Sequence, residues 1–223
     1  MEWYAEEIAN LAQKLRQNPL SPSPVALYGS SSIRLWDNLR DDLDNPNVLN
    51  LGFGGSTLAA CVHFFDQLIP LAEPKSLLVY AGDNDLGDGQ SPEFVLDRFH
   101  ALAEKILRFN PTLPWAFLSI KLSPSRLYLR PQIDRANNSI RLETARHPRA
   151  SFIDVTSPLL NPAGYPASEY FQPDGLHLSP AGYRRWAETL NQDRHRMLIA
   201  PSPDIRQVEL SSGQDATGIP QVV

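Results

Sequence analysis

The chain has 223 residues, 42% hydrophobic and 20% charged, with a formal net charge of −5. Those totals fit one globular α/β domain large enough to bury a substantial core. The acidic balance argues against nucleic acid as the main partner. No stretch approaches the roughly 18 apolar residues of a membrane span, and a single cysteine, Cys61, rules out an intrachain disulfide or a cysteine zinc cluster.

The opening stretch, "MEWYAEEIANLAQKLRQNP", has neither the basic start nor the apolar run of a secretory signal, so a cytoplasmic location is expected. Tyr4, Ile8, Leu11 and Leu15 recur at helical spacing and predict a surface helix over 1–18 whose apolar stripe docks on the domain. The first strand is expected at Val25 to Tyr28 and the second at Val48 to Leu51. A helix follows, striped by Leu58, Val62, Phe65 and Ile69, with Cys61 on it as a buried, inert thiol. The third strand is read at Ser76 to Ala81. The next helix carries Val95, Phe99, Leu102, Ile106 and Phe109 at intervals of four, three, four and three. Trp115 to Ile120 and Ser151 to Val155 read as the fourth and fifth strands, separated by a weaker helical segment, Ile133 to Ala145. Ser179-Pro180 is a good helix start, and Tyr183, Trp186, Ala187 and Leu190 supply that helix with an apolar side.

The strand runs are nearly continuous in apolar character rather than alternating, as in parallel strands covered on both faces. Alternation of strand and helix implies a doubly wound sheet, and the flavodoxin-like order 2-1-3-4-5 is expected. The domain is assigned to residues 1–200. From Pro201 the chain turns polar and reads as a tail over 201–223, with a short docked strand at Ile205, Val208 and Leu210 as the alternative.

Sheets of this kind hold ligands beyond the carboxyl ends of their strands. The first strand ends in Gly29-Ser30-Ser31-Ser32, and the second runs into "NLGFGGST". After the third comes "YAGDNDLGDG", and after the fourth "KLSPSR". Beyond the fifth lies "FQPDGLHLSPAGY", where Asp174 precedes His177 by three residues. The acidic run does not make a calcium loop, because Gly87 and Phe94 stand where ligands are needed. His63, His100, His147 and His195 have no comparable context. Acyl transfer by a serine needs an imidazole to take its proton, a carboxylate to orient that imidazole, and donors for the oxyanion. Asp174 and His177 can pair through Nδ1–H, leaving Nε2 to face one of the three serines. Gly55 offers an unobstructed backbone N–H and Asn84 a side-chain amide. Phe53, Tyr170 and Phe171 flank these motifs as candidate pocket walls. Arg126 is a candidate for a polar or anionic substrate group, with a structural salt bridge as the alternative.

In order and spacing, "YGSSS", "GFGGST", "GDND" and "DGLH" resemble the blocks of the SGNH hydrolase superfamily, the GDSL-type esterases and lipases, from about Val25 to Trp186. The resemblance implies a three-layer α/β/α sandwich with a five-stranded parallel sheet. It implies that Ser31, at the third position of the Gly-Asp-Ser motif, is the nucleophile and that Asp174 and His177 complete the triad. Ser31 N–H, Gly55 N–H and the Asn84 amide would then form the oxyanion hole. Ser30 stands where the family has aspartate, a variant that bears on the rigidity of the turn. The expected activity is hydrolysis of short-chain carboxylic esters through an acyl-enzyme, without metal or cofactor, on a small-molecule substrate. The rate should fall as His177 takes up a proton below neutral pH. The alternatives are an acyltransferase with the same triad and a catalytically silent ligand-binding module. The N-terminal stripe and the C-terminal tail are candidate contacts for a homo-oligomer.

Overall fold

The computed structural model describes residues 1–17 and 23–193. The polar tail over 201–223, the strand alternative at Ile205, Val208 and Leu210, and His195 lie outside the described residues. Five parallel strands, β1 (Val25–Gly29), β2 (Val48–Gly52), β3 (Ser76–Tyr80), β4 (Trp115–Leu118) and β5 (Ala150–Ile153), form one sheet in the order β2-β1-β3-β4-β5. This is the flavodoxin-like order expected from the alternation of elements. In the central pairs, Tyr28 lies beside Leu51 on one side and Val79 on the other.

The unbroken apolar runs follow from burial of both faces. Side chains alternate across a strand, so Ala26 and Tyr28 enter one core while Val25 and Leu27 enter the other. The first core is covered by α1 (Ala5–Gln17), α4 (Leu58–Ala72), α6 (Pro92–Phe109) and α7 (Arg130–Thr144), which contribute Ile8, Phe65, Phe99 and Ile133 among others. The second lies under α2 (Ser31–Arg34), α3 (Leu39–Asp42) and α8 (Pro180–Gln192), with Ile33, Leu39 and Trp186. The remaining helix, α5 (Asp83–Gly87), follows β3.

Three of the long helices, α4, α6 and α8, start at a side-chain cap, the last at the Ser179-Pro180 start expected from the sequence. Thr57, Ser91 and Ser179 each accept an N–H three residues on, from Ala60, Phe94 and Gly182. Pro92 and Pro180 follow two of these caps at positions that need no hydrogen bond. α8 buries Tyr183, Trp186, Ala187 and Leu190, the predicted side, and the Trp186 indole donates to Val155 O at 3.0 Å. The N-terminal helix docks through Ile8 and Ala12, and Tyr4 packs edge-on against Phe53 and Phe64. Cys61 is buried, and burial raises its thiol far above the ordinary range. No helix among the described residues is long and apolar enough to cross a membrane.

The strand boundaries differ from the sequence reading at the carboxyl ends. Ala81, Ser119-Ile120 and Asp154-Val155 leave the ladder although they are apolar or adjoin apolar residues. Backbone polar groups that leave a ladder inside the fold need other partners. Asn137 of α7 supplies them for Ile120, accepting its N–H at 2.8 Å and donating to its carbonyl at 2.9 Å. β3, β4 and β5 thus end earlier than read at their carboxyl ends, whereas β1 and β2 run one residue further, to Gly29 and Gly52.

Candidate active site

The turn after β1 carries the three serines, and they have different surroundings. Gly29 sits at φ +144°. Ser30 N–H donates to Tyr80 O at 2.9 Å, tying the turn to β3. Ser30 then caps α2 with its carbonyl, which accepts from Ile33 and Arg34. Its own hydroxyl is buried and has no partner among the described residues. Ser32 is also buried, and its hydroxyl accepts from the Lys121 ammonium at 3.1 Å. Ser31 is the one serine of the triplet that reaches solvent. Its N–H opens a helix, where the first turn leaves N–H groups without intrahelical partners.

Ser31 Oγ stands 3.1 Å from His177 Nε2, across 146 positions of sequence. His177 Nδ1 stands 2.6 Å from Asp174 Oδ2. The other carboxylate oxygen accepts the N–H groups of Leu176 and His177 at 2.8 and 3.0 Å. Gly175, at φ +64°, makes that tight turn possible. The two oxygens therefore divide the work: Oδ1 builds the turn and Oδ2 holds the ring. With Nδ1–H donating to carboxylate, Nε2 is left as the acceptor for a hydroxyl proton. Burial alone would raise the Asp174 pKa. The two backbone donors and the imidazole outweigh burial and bring it down to about 2. The turn is closed on itself by Gln172 N–H on His177 O, and Ser179, the N-cap of α8, ties it back to Tyr170 O through its N–H.

Gly55 and Asn84 reach the same edge of the sheet from β2 and β3. Gly55 lies at φ +66°, and nothing stands within 4 Å of where a Cβ would be. Its loop is held from the N-terminal segment: Tyr4 donates to Gly55 O at 3.1 Å, and Glu7 accepts from Gly54 N–H at 2.8 Å. Asn84 donates through Nδ2 to Ser56 O at 3.0 Å, joining the two loops.

Beneath these groups lies a buried ionic cluster that the sequence reading missed. Lys121 is 1% exposed and donates to Ser32 Oγ, Tyr80 OH and Asp83 Oδ2, the last at 2.9 Å. Arg126 Nη1 lies 3.3 Å from the same Asp83 oxygen, and its Nη2 donates to Asn84 Oδ1 at 2.8 Å. Next to it, Asp85 accepts the Leu58 N–H at 2.7 Å at the start of α4. The acidic run thus opens as a short helix whose carboxylates, Asp83 and Asp85, are turned into the protein, while Asp88 after it is exposed. In the sequence Lys121 stands only as the first residue of the "KLSPSR" stretch after the fourth strand. A lysine directly after a buried strand is the one local signal that it points inward.

Three of the candidate substrate contacts are corrected. Phe53 is fully buried among Tyr4, Tyr28 and Phe64, and Phe171 packs in the core under α8. Phe53 follows β2 and Phe171 follows the short helical turn Ser168–Tyr170, and both rings are turned inward. Arg126 is committed to Asp83 and Asn84 rather than turned to a ligand.

Burial opposes the charge on Asp83, but Lys121 and Arg126 prevail and hold its carboxyl below the usual carboxylate range. Its stabilising contribution is therefore present above its unfolded value of about 3.9 and is lost as pH falls through the lowered folded value. Asp174 acts with the same sign, but it is half exposed and screened. The urea midpoint of the wild type is expected to hold above about pH 4 and to fall below it. Asp83→Asn, which leaves two cations without their carboxylate, is expected to lose about 3–5 kcal/mol at neutral pH and to show a flatter acid limb. An unchanged midpoint at pH 7 would contradict this account.

The fold matches solved structures across nearly their whole length. A proposed platelet activating factor from Streptococcus pneumoniae is 21% identical, with a TM-score of 0.75, covering 86% of this chain and 94% of its own. A GDSL-like lipase from Bacteroides thetaiotaomicron is 17% identical, with a TM-score of 0.70 and coverage of 85% and 97%. A family 3 carbohydrate esterase from Talaromyces cellulolyticus is 15% identical, with a TM-score of 0.61 and coverage of 79% and 98%. At these identities the likeness is one of fold. No curated protein matches the chain. The sequence itself matches a family of hydrolases over residues 21–185, and the chain belongs to the GDSL-like lipase/acylhydrolase family.

Proposed function

We propose that the protein hydrolyses carboxylic esters of short acyl chains, with Ser31, His177 and Asp174 as its triad. The observation that carries this reading is the relay of contacts from Ser31 Oγ through His177 to Asp174, at 3.1 and 2.6 Å. His177 Nε2 takes the hydroxyl proton as Ser31 Oγ bonds to the ester carbonyl carbon. The carbonyl oxygen becomes an oxyanion held by Ser31 N–H, Gly55 N–H and Asn84 Nδ2. Collapse of that intermediate breaks the bond to the alcohol, which leaves with the proton from His177. Water then repeats the sequence on the acyl-enzyme, releasing the acid and restoring Ser31. Asp174 stays ionised throughout and stabilises the imidazolium.

The preference for a small acyl group rests on where the aromatic side chains go. Phe53 and Phe171, nearest the motifs in sequence, are withdrawn into the core and build no acyl wall. The triad is open to water, with the His177 side chain 25% and the Asp174 side chain 46% exposed. Such an edge suits a small acyl group carried on a larger alcohol, such as acetyl on a carbohydrate. The activity named for the Talaromyces neighbour is in keeping with this.

A fluorophosphonate probe should label the protein at Ser31, as mapped by mass spectrometry, and His177→Ala should abolish labelling. p-Nitrophenyl acetate should be turned over faster than the octanoate. Absence of labelling under conditions that modify a control esterase would favour a silent binding module. Faster cleavage of the octanoate would overturn the short-chain preference.

A further inference from the structure

The oxyanion donor of a side-chain amide works only in one of its two flips. In Asn84 the choice is made by the neighbours. Its Oδ1 accepts from Arg126 Nη2 at 2.8 Å, and its Nδ2 donates to Ser56 O at 3.0 Å. A guanidinium has no acceptor, and a carbonyl has no donor. Rotation of the amide by half a turn would set NH2 against guanidinium and oxygen against carbonyl oxygen, so the flip is excluded on both sides. Nδ2 carries a second hydrogen, which remains for a ligand.

Arg126 is itself held in place. The turn Pro124–Leu129 departs from helical geometry at Arg126. That departure accompanies the ion pair with Asp83 at 3.3 Å. Asp83 also takes the Lys121 ammonium, which reaches on to Ser32 beside Ser31. One chain of contacts thus runs from the residue next to the nucleophile to the amide of Asn84. Gly87 leaves the space that the guanidinium fills: a Cβ there would lie 2.8 Å from Nη2 and 2.9 Å from the guanidinium carbon.

We infer that Arg126 is a positioning residue that, together with Ser56 O, sets the flip of the Asn84 amide for oxyanion binding, backed by Asp83 and Lys121. This rests on the ester-hydrolase reading above and adds a residue to its machinery. Arg126 does not touch the substrate. Its removal therefore lowers the rate of the chemical step and leaves substrate binding nearly unchanged.

The test uses the full chain, p-nitrophenyl acetate, and active-site titration with fluorophosphonate, so that rates are expressed per labelled Ser31. Arg126→Ala is expected to lower kcat by about tenfold to a hundredfold, within the range for loss of one oxyanion donor, with KM changed less than about threefold. Guanidinium at non-denaturing concentration is expected to restore part of that rate, and ammonium is not. Arg126→Lys keeps the charge but loses the fork and is expected to stay impaired. Gly87→Ala adds one methyl against the far end of the Arg126 side chain, is expected to fold, and is expected to lower kcat in the same direction by displacing the guanidinium. It carries the test if Arg126→Ala does not fold. A purely structural role would reduce the fraction of labelled protein and leave kcat per site unchanged, which would overturn the inference. A rise in KM alone would also overturn it, since Arg126 would then be a substrate contact. If the wild type neither labels nor hydrolyses the ester, the underlying reading and this inference fail together. If it does both while the variants match it, only the inference fails.

Discussion

Ser31→Ala is expected to lower kcat for p-nitrophenyl acetate by about 10⁴-fold or more, with the protein still folded. The neighbouring serines give the contrast. Ser30 Oγ is buried with no partner among the described residues, so Ser30→Ala removes no hydrogen bond and is expected to leave kcat within a few-fold of wild type. Ser32→Ala takes an acceptor from Lys121, whose ammonium keeps Tyr80 OH and Asp83. Its expected cost is about 1–3 kcal/mol of stability, seen in denaturation rather than in loss of labelling. Of the three, the Ser31 hydroxyl is the one within hydrogen-bond reach of His177 Nε2. The measurement is steady-state hydrolysis beside urea unfolding for all three alanine variants. A Ser31→Ala protein with wild-type turnover would end the triad assignment, and a Ser30→Ala or Ser32→Ala protein devoid of turnover would move the nucleophile.

Gly29→Ala is expected to cost more stability than any surface change, with the melting temperature lowered by about 10–20 °C or the fold lost. A Cβ at Gly29 would lie 1.9 Å from the Tyr80 carbonyl oxygen and 2.7 Å from its carbon. Both are backbone atoms of β3, which pairs with Gly29 in the register of the sheet. No side-chain rotation relieves the clash. β1 and β3 would have to separate, and with them the Ser30 N–H to Tyr80 O bond that sets the serine turn. The φ of +144° adds strain for any residue with a side chain. Gly89→Ala is the control: Gly89 sits at φ +85° with nothing within 4 Å of a new methyl. Its expected cost is only the left-handed backbone term, about 1–2 kcal/mol. Thermal unfolding followed by circular dichroism separates the two. A Gly29→Ala protein melting within about 3 °C of wild type would contradict the steric account.

The acid side of the rate profile follows from Asp174. Its carboxyl is held down to about 2, so it remains charged across the working range. Asp174 is therefore expected to add no step of its own to log kcat/KM above about pH 3, and an Asp174 carboxyl resonance titrating near pH 4 would contradict this.

Apolar runs and periodicity located the five strands and the long helices, whereas the strand order, which no local pattern fixes, is seen in the sheet itself. A parallel strand covered on both faces must be apolar along its whole length, and a long amphipathic helix must repeat its stripe. The short helices α2 and α5 escaped because four or five residues span little more than one turn and carry no period. The chemistry of the site was legible as residue types at strand ends. His177 and Asp174 were tied by three positions of sequence, which a tight turn brings within hydrogen-bond distance. The family resemblance then ranked Ser31 above two identical neighbours, a choice that composition and spacing had left open.

Local pattern carries what repeats or lies close along the chain, because those interactions are set by backbone geometry over a few residues. It cannot carry burial of a polar side chain, since that is favourable only when distant partners arrive. Lys121 is tolerable inside the fold because Asp83, 38 positions earlier, meets its charge. Arg126 turns from a candidate ligand contact into a brace for Asn84 for the same reason. Phe53 and Phe171 face the core because neighbouring elements offer them apolar surface there. The fold class and the residue types of the proposed triad were thus present in one dimension. The access of Ser31 to His177, the flip of the Asn84 amide and the buried charges beneath them exist only once the loops have met.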